Sequence, residues 1–234
     1  MRSKLMVIVN LLNKIYNYVF VSIFVVVFLV CMYVMIDSIS VIGQGAAIEE
    51  AKELIKADDN RISTLKKVNQ DVVAWITLDD TKIDYPIVQT NDNQFYLKHN
   101  YKKDYSMAGS IFADYRSDLL KDDYAVIYGH NMSGKNMFGY LSMFEDKSYF
   151  DAHKTGKIYF EDEEKDLDIL AYGVVENSAK SIYEIDDYRN NVDGVMSFVR
   201  DKAQYMRDGK HDKILLLSTC YTDTTRRIIL LVGY

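Results

Sequence analysis

Three hydrophobic rhythms follow one another along the chain. Residues 18–36 carry no charge, and Ser22 is the only clearly polar side chain among them apart from the tyrosines. As a helix these nineteen residues rise about 28 Å, close to the ~30 Å of bilayer hydrocarbon. Arg2, Lys4 and Lys14 precede them with no acidic residue. The positive-inside rule therefore keeps the N-terminus cytoplasmic and puts everything after Asp37 outside. Gly45-Ala46-Ala47 supplies the small residues of a signal-peptidase site, but the apolar stretch is longer than a signal core and favours an uncleaved anchor.

The second rhythm is helical. Residues 46–57 place Ile48, Ala51, Leu54 and Ile55 on one stripe with charges opposite, and a short helix is expected over 61–68. Whether these helices pack on the following domain or form a stalk stays open. The period then shortens. Strands are expected at 72–78, 82–89, 109–113, 124–129, 157–160, 167–175, 213–219 and 227–232. Pro86 argues for an edge position or a bulge in the second of these. Helices interrupt the series at 137–144 and 189–206, the latter with Val192, Val195, Met196, Val199, Ala203 and Met206 at core-facing spacing. Those methionines read as packing. Eight short strands with few helices predict a mainly β fold with flanking helices, closed or nearly closed into an eight-stranded β-barrel. The expected organisation is a cytoplasmic N-terminus at 1–17, a transmembrane anchor at 18–36, a helical segment at 37–70 and the barrel at 71–234.

Charge narrows the function classes. The net charge is −6, and the first 36 residues hold three positive charges and no negative one, which leaves −9 for the remaining 198 residues. Such an acidic outer domain does not suit nucleic acid as a partner. With a single proline and eleven glycines in the chain, no disordered linker stands out.

The candidate chemistry centres on one thiol. Cys31 lies within the apolar span, so Cys220 is the only cysteine that can sit outside the membrane, and the two cannot pair. An exterior compartment favours disulfides, which makes a lone outer thiol unusual. Cys220 ends the apolar run Ile214-Leu215-Leu216-Leu217-Ser218-Thr219, where a strand should open into a polar loop. A buried cysteine acting as a small hydrophobe is the alternative. As a nucleophile it needs a base or a positive field. Of the four histidines, His153 and His211 fall in polar turns and His99 in a polar segment. His130 instead ends the run Tyr124-Ala125-Val126-Ile127-Tyr128-Gly129 and opens a polar loop. Arg226 and Arg227 begin the last strand shortly after Cys220. Alternation lets only one of them face the thiol, and apolar residues on both faces of 228–232 leave the choice open. No metal site is expected, since neither clustered histidines nor a second outer cysteine occur at ligand spacing.

Leu217-Ser218-Thr219-Cys220 followed by an arginine at the head of the next strand resembles the signature of the sortases, membrane-anchored cysteine transpeptidases of Gram-positive bacteria. The class B members are most similar. Their pattern is followed by Trp75-Ile76, Ile83-Asp84-Tyr85-Pro86-Ile87-Val88-Gln89, Asp92-Asn93, Tyr96-Leu97, Gly109-Ser110-Ile111-Phe112, Ile127-Tyr128-Gly129-His130-Asn131-Met132 and Met137-Phe138. The resemblance covers residues 46–234. It departs at Leu216, where the family usually has threonine, and in the short loop between Cys220 and Arg227.

The resemblance implies a sortase-type barrel with His130, Cys220 and Arg227 as the catalytic residues. It implies Asn93, Leu97, Ser218, Thr219 and Tyr221 as groove residues, and it implies no cofactor. The implied partners are secreted surface proteins bearing a C-terminal sorting signal, and an amine of peptidoglycan or of its lipid-linked precursor. The implied reaction is cleavage after threonine through a thioester, followed by transfer to that amine. Two other readings stand beside it: an exocytoplasmic cysteine peptidase whose acyl-enzyme is resolved by water, and a non-catalytic membrane-anchored binding module.

Overall fold

The computed structural model of the chain describes residues 2–56, 61–176, 182–220 and 225–234. The chain divides into two compact units, Met1–Ile42 and Gly43–Tyr234. Helix α1, Arg2–Lys56, runs without a break where the sequence suggests a span and a separate helix at 46–57. No proline interrupts it, and Gly43 and Gly45 weaken a helix without ending it. In the first unit Ile8–Ile36 has a mean hydropathy of 3.0 and is long and apolar enough to cross a membrane. This stretch starts before residue 18 and so includes Lys14, whose long stem can carry its charge to the interface.

In the second unit α2, Arg61–Val68, precedes eleven strands among the described residues. They are β1 Val72–Leu78, β2 Asp84–Val88, β3 Ile111–Ala113, β4 Tyr124–Tyr128, β5 Asn131–Met132, β6 Asn136–Met137, β7 Thr155–Tyr159, β8 Glu164–Glu176, β9 Ala203–Met206, β10 Ile214–Cys220 and β11 Arg226–Gly233. Helices α3, Lys147–Ala152, α4, Ile185–Tyr188, and α5, Val192–Lys202, lie between them. The main sheet runs β11-β10-β4-β3-β2-β1-β7-β8, and β8 pairs back onto β11. Eight strands thus close into a barrel, as the strand count predicts. β9 adds to β8 outside that ring, and β5 and β6 form their own small hairpin.

Burial on two sides explains the unbroken apolar run of β10. Leu215 and Leu217 point into the barrel with Ile76, Ile87, Ile127 and Leu230. Ile214 and Leu216 pack on the outer face against Ile185, Val195 and Val199 of α4 and α5. A strand covered on both faces loses its alternation. A third cluster settles the role of the early helices. Ala47 and Ala51 of α1 and Ile62 and Leu65 of α2 are buried against Val72, Trp75, Val88, Tyr96 and Phe112. They belong to the folded domain and are not a stalk.

Three expectations need correction. Residues 189–206 do not form one helix. Asn191 caps α5 by accepting a hydrogen bond from the Gly194 N–H, α5 stops at Lys202, and Ala203–Met206 becomes β9, paired with Ala171–Gly173 of β8. Ala203 and Met206 fit a helical stripe, but Gly173 admits a neighbouring backbone. A Cβ there would lie 3.1 Å from the Lys202 carbonyl oxygen. Residues 137–144 are a 3-10 helix, Phe138–Glu145, and Asp146 starts the separate α3 by accepting from the Ser148 and Tyr149 N–H groups. Pro86 lies neither on an edge strand nor at the β1–β2 irregularity, which falls between Val72 and Ala74. It is opposite Trp75, and β2 acquires its second neighbour only from Ile87 onward. The missing N–H therefore falls where β2 still has one partner.

Candidate active site

One rim of the barrel gathers the candidate residues. β4 and β10 are parallel, with Ser218 opposite Tyr128, and the Gly129 N–H carries the ladder one step further by donating to the Ser218 carbonyl at 3.1 Å. Both strands therefore end at the same rim, β4 running into His130 and β10 into Cys220. β11 enters from that rim, antiparallel to β10, and its first pair is Arg227 with Cys220. Opposite positions of an antiparallel pair share a face, so position 227 and not 226 goes with position 220. The register thus separates two positions that periodicity does not. The half-buried Arg227 contrasts with the exposed Arg226.

Gly129 is required by close approach. A Cβ there would lie 2.4 Å from Ile111 Cδ1 and 2.8 Å from Phe138 Cγ. The backbone can thus sink against the core just before it delivers His130. The Gly139 N–H donates to the His130 carbonyl at 3.1 Å and ties it to the 3-10 helix that follows. On the imidazole, Nε2 lies 2.8 Å from the Leu97 carbonyl oxygen. A carbonyl oxygen only accepts, so Nε2 must carry the proton. In the neutral ring the free lone pair is then on Nδ1.

The expected groove residues separate into two groups. Leu97 is 37% exposed, and its carbonyl orients His130. Asn93 is half-buried. Its Oδ1 accepts from the Tyr115 N–H at 3.0 Å, and its Nδ2 donates to Asp114 Oδ2 at 2.9 Å. Ser218 and Thr219 are fully buried. Ser218 Oγ is 2.8 Å from the Tyr183 hydroxyl, while Thr219 Oγ1 has no hydrogen-bond partner among the described residues. Tyr221 lies outside the described residues. Among those described, no group of three or more acidic, histidine or cysteine side chains could hold a metal ion.

Four residues to which the sequence assigns no role in the site form a polar hub beside this rim. Asp114 follows β3 and is fully buried. Its carboxylate takes a two-pronged grip from Arg116, Nε and Nη2 each at 2.9 Å, and a further bond from the Tyr128 hydroxyl at 3.0 Å. Arg116 Nη2 also donates to the Tyr183 carbonyl at 3.1 Å, and the Tyr183 ring stacks with Tyr128 at 6.2 Å. Burial alone would raise the Asp114 carboxyl, but hydrogen bonds from Arg116 and Asn93 outweigh it and hold the group below the usual carboxylate range. Burial first, then the Asp114 charge, pushes the Tyr128 phenol far up, so it stays a donor. The visible signal is the Asp-x-Arg spacing of Asp114 and Arg116. The partners come from distant segments and leave no local trace.

Residues 76–232 match the sortase domain family, a span that reaches from β1 to β11 and so takes in every strand of the barrel. Sortase B of Listeria monocytogenes is 36% identical over 170 residues, which are 70% of this chain and 68% of that protein. The crystal structure of sortase B from Bacillus anthracis is similar with a TM-score of 0.71 at 28% identity, over 84% of this chain and 99% of that one. Sortase B from Clostridium perfringens gives a TM-score of 0.63 at 31% identity, over 73% and 97% of the two chains.

Proposed function

The chain belongs to the sortase family of cysteine transpeptidases, and from that premise we propose that it is a class B member joining surface proteins to the cell wall. Cys220 Sγ passes its proton to His130 Nδ1 and, as thiolate, attacks the carbonyl carbon of a threonine within a C-terminal sorting motif. The C–N bond after that threonine breaks, and His130 Nδ1 supplies the proton that the leaving amine takes. A thioester then links the threonine carbonyl to Cys220. An amino group of peptidoglycan or of its lipid-linked precursor attacks the thioester, His130 removes the proton, and the thiolate departs. Arg227 stabilises the negative oxygen of each tetrahedral intermediate.

The reading rests chiefly on register. Parallel β4 and β10 end at the same rim, and β11 begins there with Arg227 across from Cys220. The class assignment draws on the three sortase B relatives. The apolar stretch Ile8–Ile36 supports membrane anchoring. In the proposed arrangement 1–17 is cytoplasmic, 18–36 spans the membrane once, 37–70 leads into the domain and 71–234 is the catalytic barrel on the extracellular face.

A panel of quenched fluorescent peptides spanning candidate sorting motifs, with and without an added amine, tests the proposal. At least one motif should be cleaved after threonine, and mass spectrometry should find the amine joined to the new end. Cys220→Ala should abolish both. Release of free acid alone in the presence of amine would make the protein a peptidase, and an unchanged Cys220→Ala variant would remove the cysteine from the chemistry.

A further inference from the structure

We infer that Asp114 is a positioning residue that sets the shape of the sorting-peptide groove by tying three separate segments to the rim where Cys220 stands. The inference rests on the sortase reading above and assigns a role to a carboxylate that the transpeptidation steps do not use.

Asp114 joins segments that are far apart in sequence. Through Nδ2 of Asn93 it holds the stretch leading to Leu97, whose carbonyl orients His130. Through the Tyr128 hydroxyl it holds the end of β4, two residues before His130. Through Arg116 it holds the Tyr183 carbonyl, and the Tyr183 hydroxyl reaches Ser218 Oγ, two residues before Cys220. Each bond has ordinary length, and the carboxylate is wholly removed from water. A buried charge needs such a full set of donors, because removing it from water without them costs several kcal/mol. Arg116 lies only two residues away in the chain, so that pair by itself ties no distant strand to Asp114. The additional donors come from Asn93 and Tyr128, both in segments that border the rim. The hub reaches the nucleophile's neighbourhood through Ser218 and the base through Leu97, so its loss should misplace the bound peptide more than it alters the thiol.

Three measurements on Asp114→Asn, which keeps the shape and removes the charge, test the role in the intact protein. Using the sorting peptide that wild type cleaves, KM should rise about tenfold or more, as expected when bound geometry is loosened by a fraction of an ångström. Alkylation of Cys220 by iodoacetamide at pH 7 should stay within about twofold of wild type. Tyr183→Phe should raise KM by itself, and the double variant should be no worse than Asp114→Asn alone, as for residues acting in one network. A residue with only a structural role would likewise lower the melting temperature, but it would leave KM unmoved and combine independently with Tyr183→Phe. Should Asp114→Asn fail to fold, Arg116→Lys carries the same expectation, since lysine cannot reproduce the two-pronged grip. An unchanged KM in a folded variant, or a fall in alkylation rate, overturns the inference while an active wild type leaves the sortase reading intact. A wild type that turns over no sorting peptide overturns the sortase reading, and the inference with it.

Discussion

Arg227 lies directly across from Cys220 in the antiparallel β10–β11 pair, while Arg226 lies one position beyond the end of β10. The two arginines are adjacent in sequence and chemically identical, so pairing alone distinguishes them. Arg227→Ala should lower kcat/KM by about 100-fold or more, the scale for removing one donor to a developing oxyanion. Arg226→Ala should stay within about threefold, as surface substitutions usually do. Steady-state kinetics on both variants decide it, and the reverse ranking would mean that β11 is paired one residue out of register.

The hydrogen bond from His130 Nε2 to the Leu97 carbonyl dictates the tautomer of the neutral ring. Long-range nitrogen–proton correlation spectra of labelled protein, taken in alkaline buffer where the ring is neutral, should show the proton on Nε2. His130→Ala should cost about 10²–10⁴ in kcat/KM, the usual worth of a general acid–base group. A ring protonated on Nδ1 would rule out the proton path proposed here.

The depressed carboxyl of Asp114 gives stability a specific dependence on pH. A group whose folded value lies below its ordinary 3.8 contributes its full stabilisation above that value and loses it as pH falls through the folded one. Urea titrations of wild type and Asp114→Asn should therefore differ most near neutrality, and the gap should close as pH falls below 3.8 and through the folded value. A gap that stays constant down to pH 2 would mean that the charge of Asp114 contributes nothing to folding.

Leu65 of α2 is fully buried against the barrel. Leu65→Ala should lower the unfolding free energy by about 2–5 kcal/mol, the range for truncating a buried leucine. Leu120→Ala, at a position 53% exposed, should change it by less than about 0.5 kcal/mol. Denaturant curves read both. A neutral Leu65→Ala would return the helices to the status of a stalk.

Much of this was legible along the chain because burial leaves a period. Residues 72–78 alternate or cluster as a covered strand should, and β1 has those same bounds. β8 is longer than expected because Glu164, Lys165 and Asp166 pair with β7 while remaining largely charged and solvated, and charge hides a strand from a hydrophobic pattern. At 203–206 one set of residues satisfies two periods, and only the partner strand decides between them. His130 and Cys220 each follow or end an apolar run, and that pattern matches the common rim at which β4 and β10 stop. Asp114, Tyr128 and Tyr183 carry no such mark, since an aspartate after a strand and a tyrosine within one look ordinary until folding brings them together. The choice between Arg226 and Arg227 is of the same kind: it belongs to pairing, which no single segment contains.

Because β4 and β10 leave the barrel at a common rim while their apolar halves lock below it, the frame and the connecting segments can change on separate terms. Segments 89–109 and 182–191 connect strands whose buried barrel interior lies in the ring and not in those segments. Exchanging them between relatives should move preference from one peptide to another while the ring beneath keeps its melting behaviour. For an engineer this makes the rim a place to graft and the barrel a chassis to leave alone.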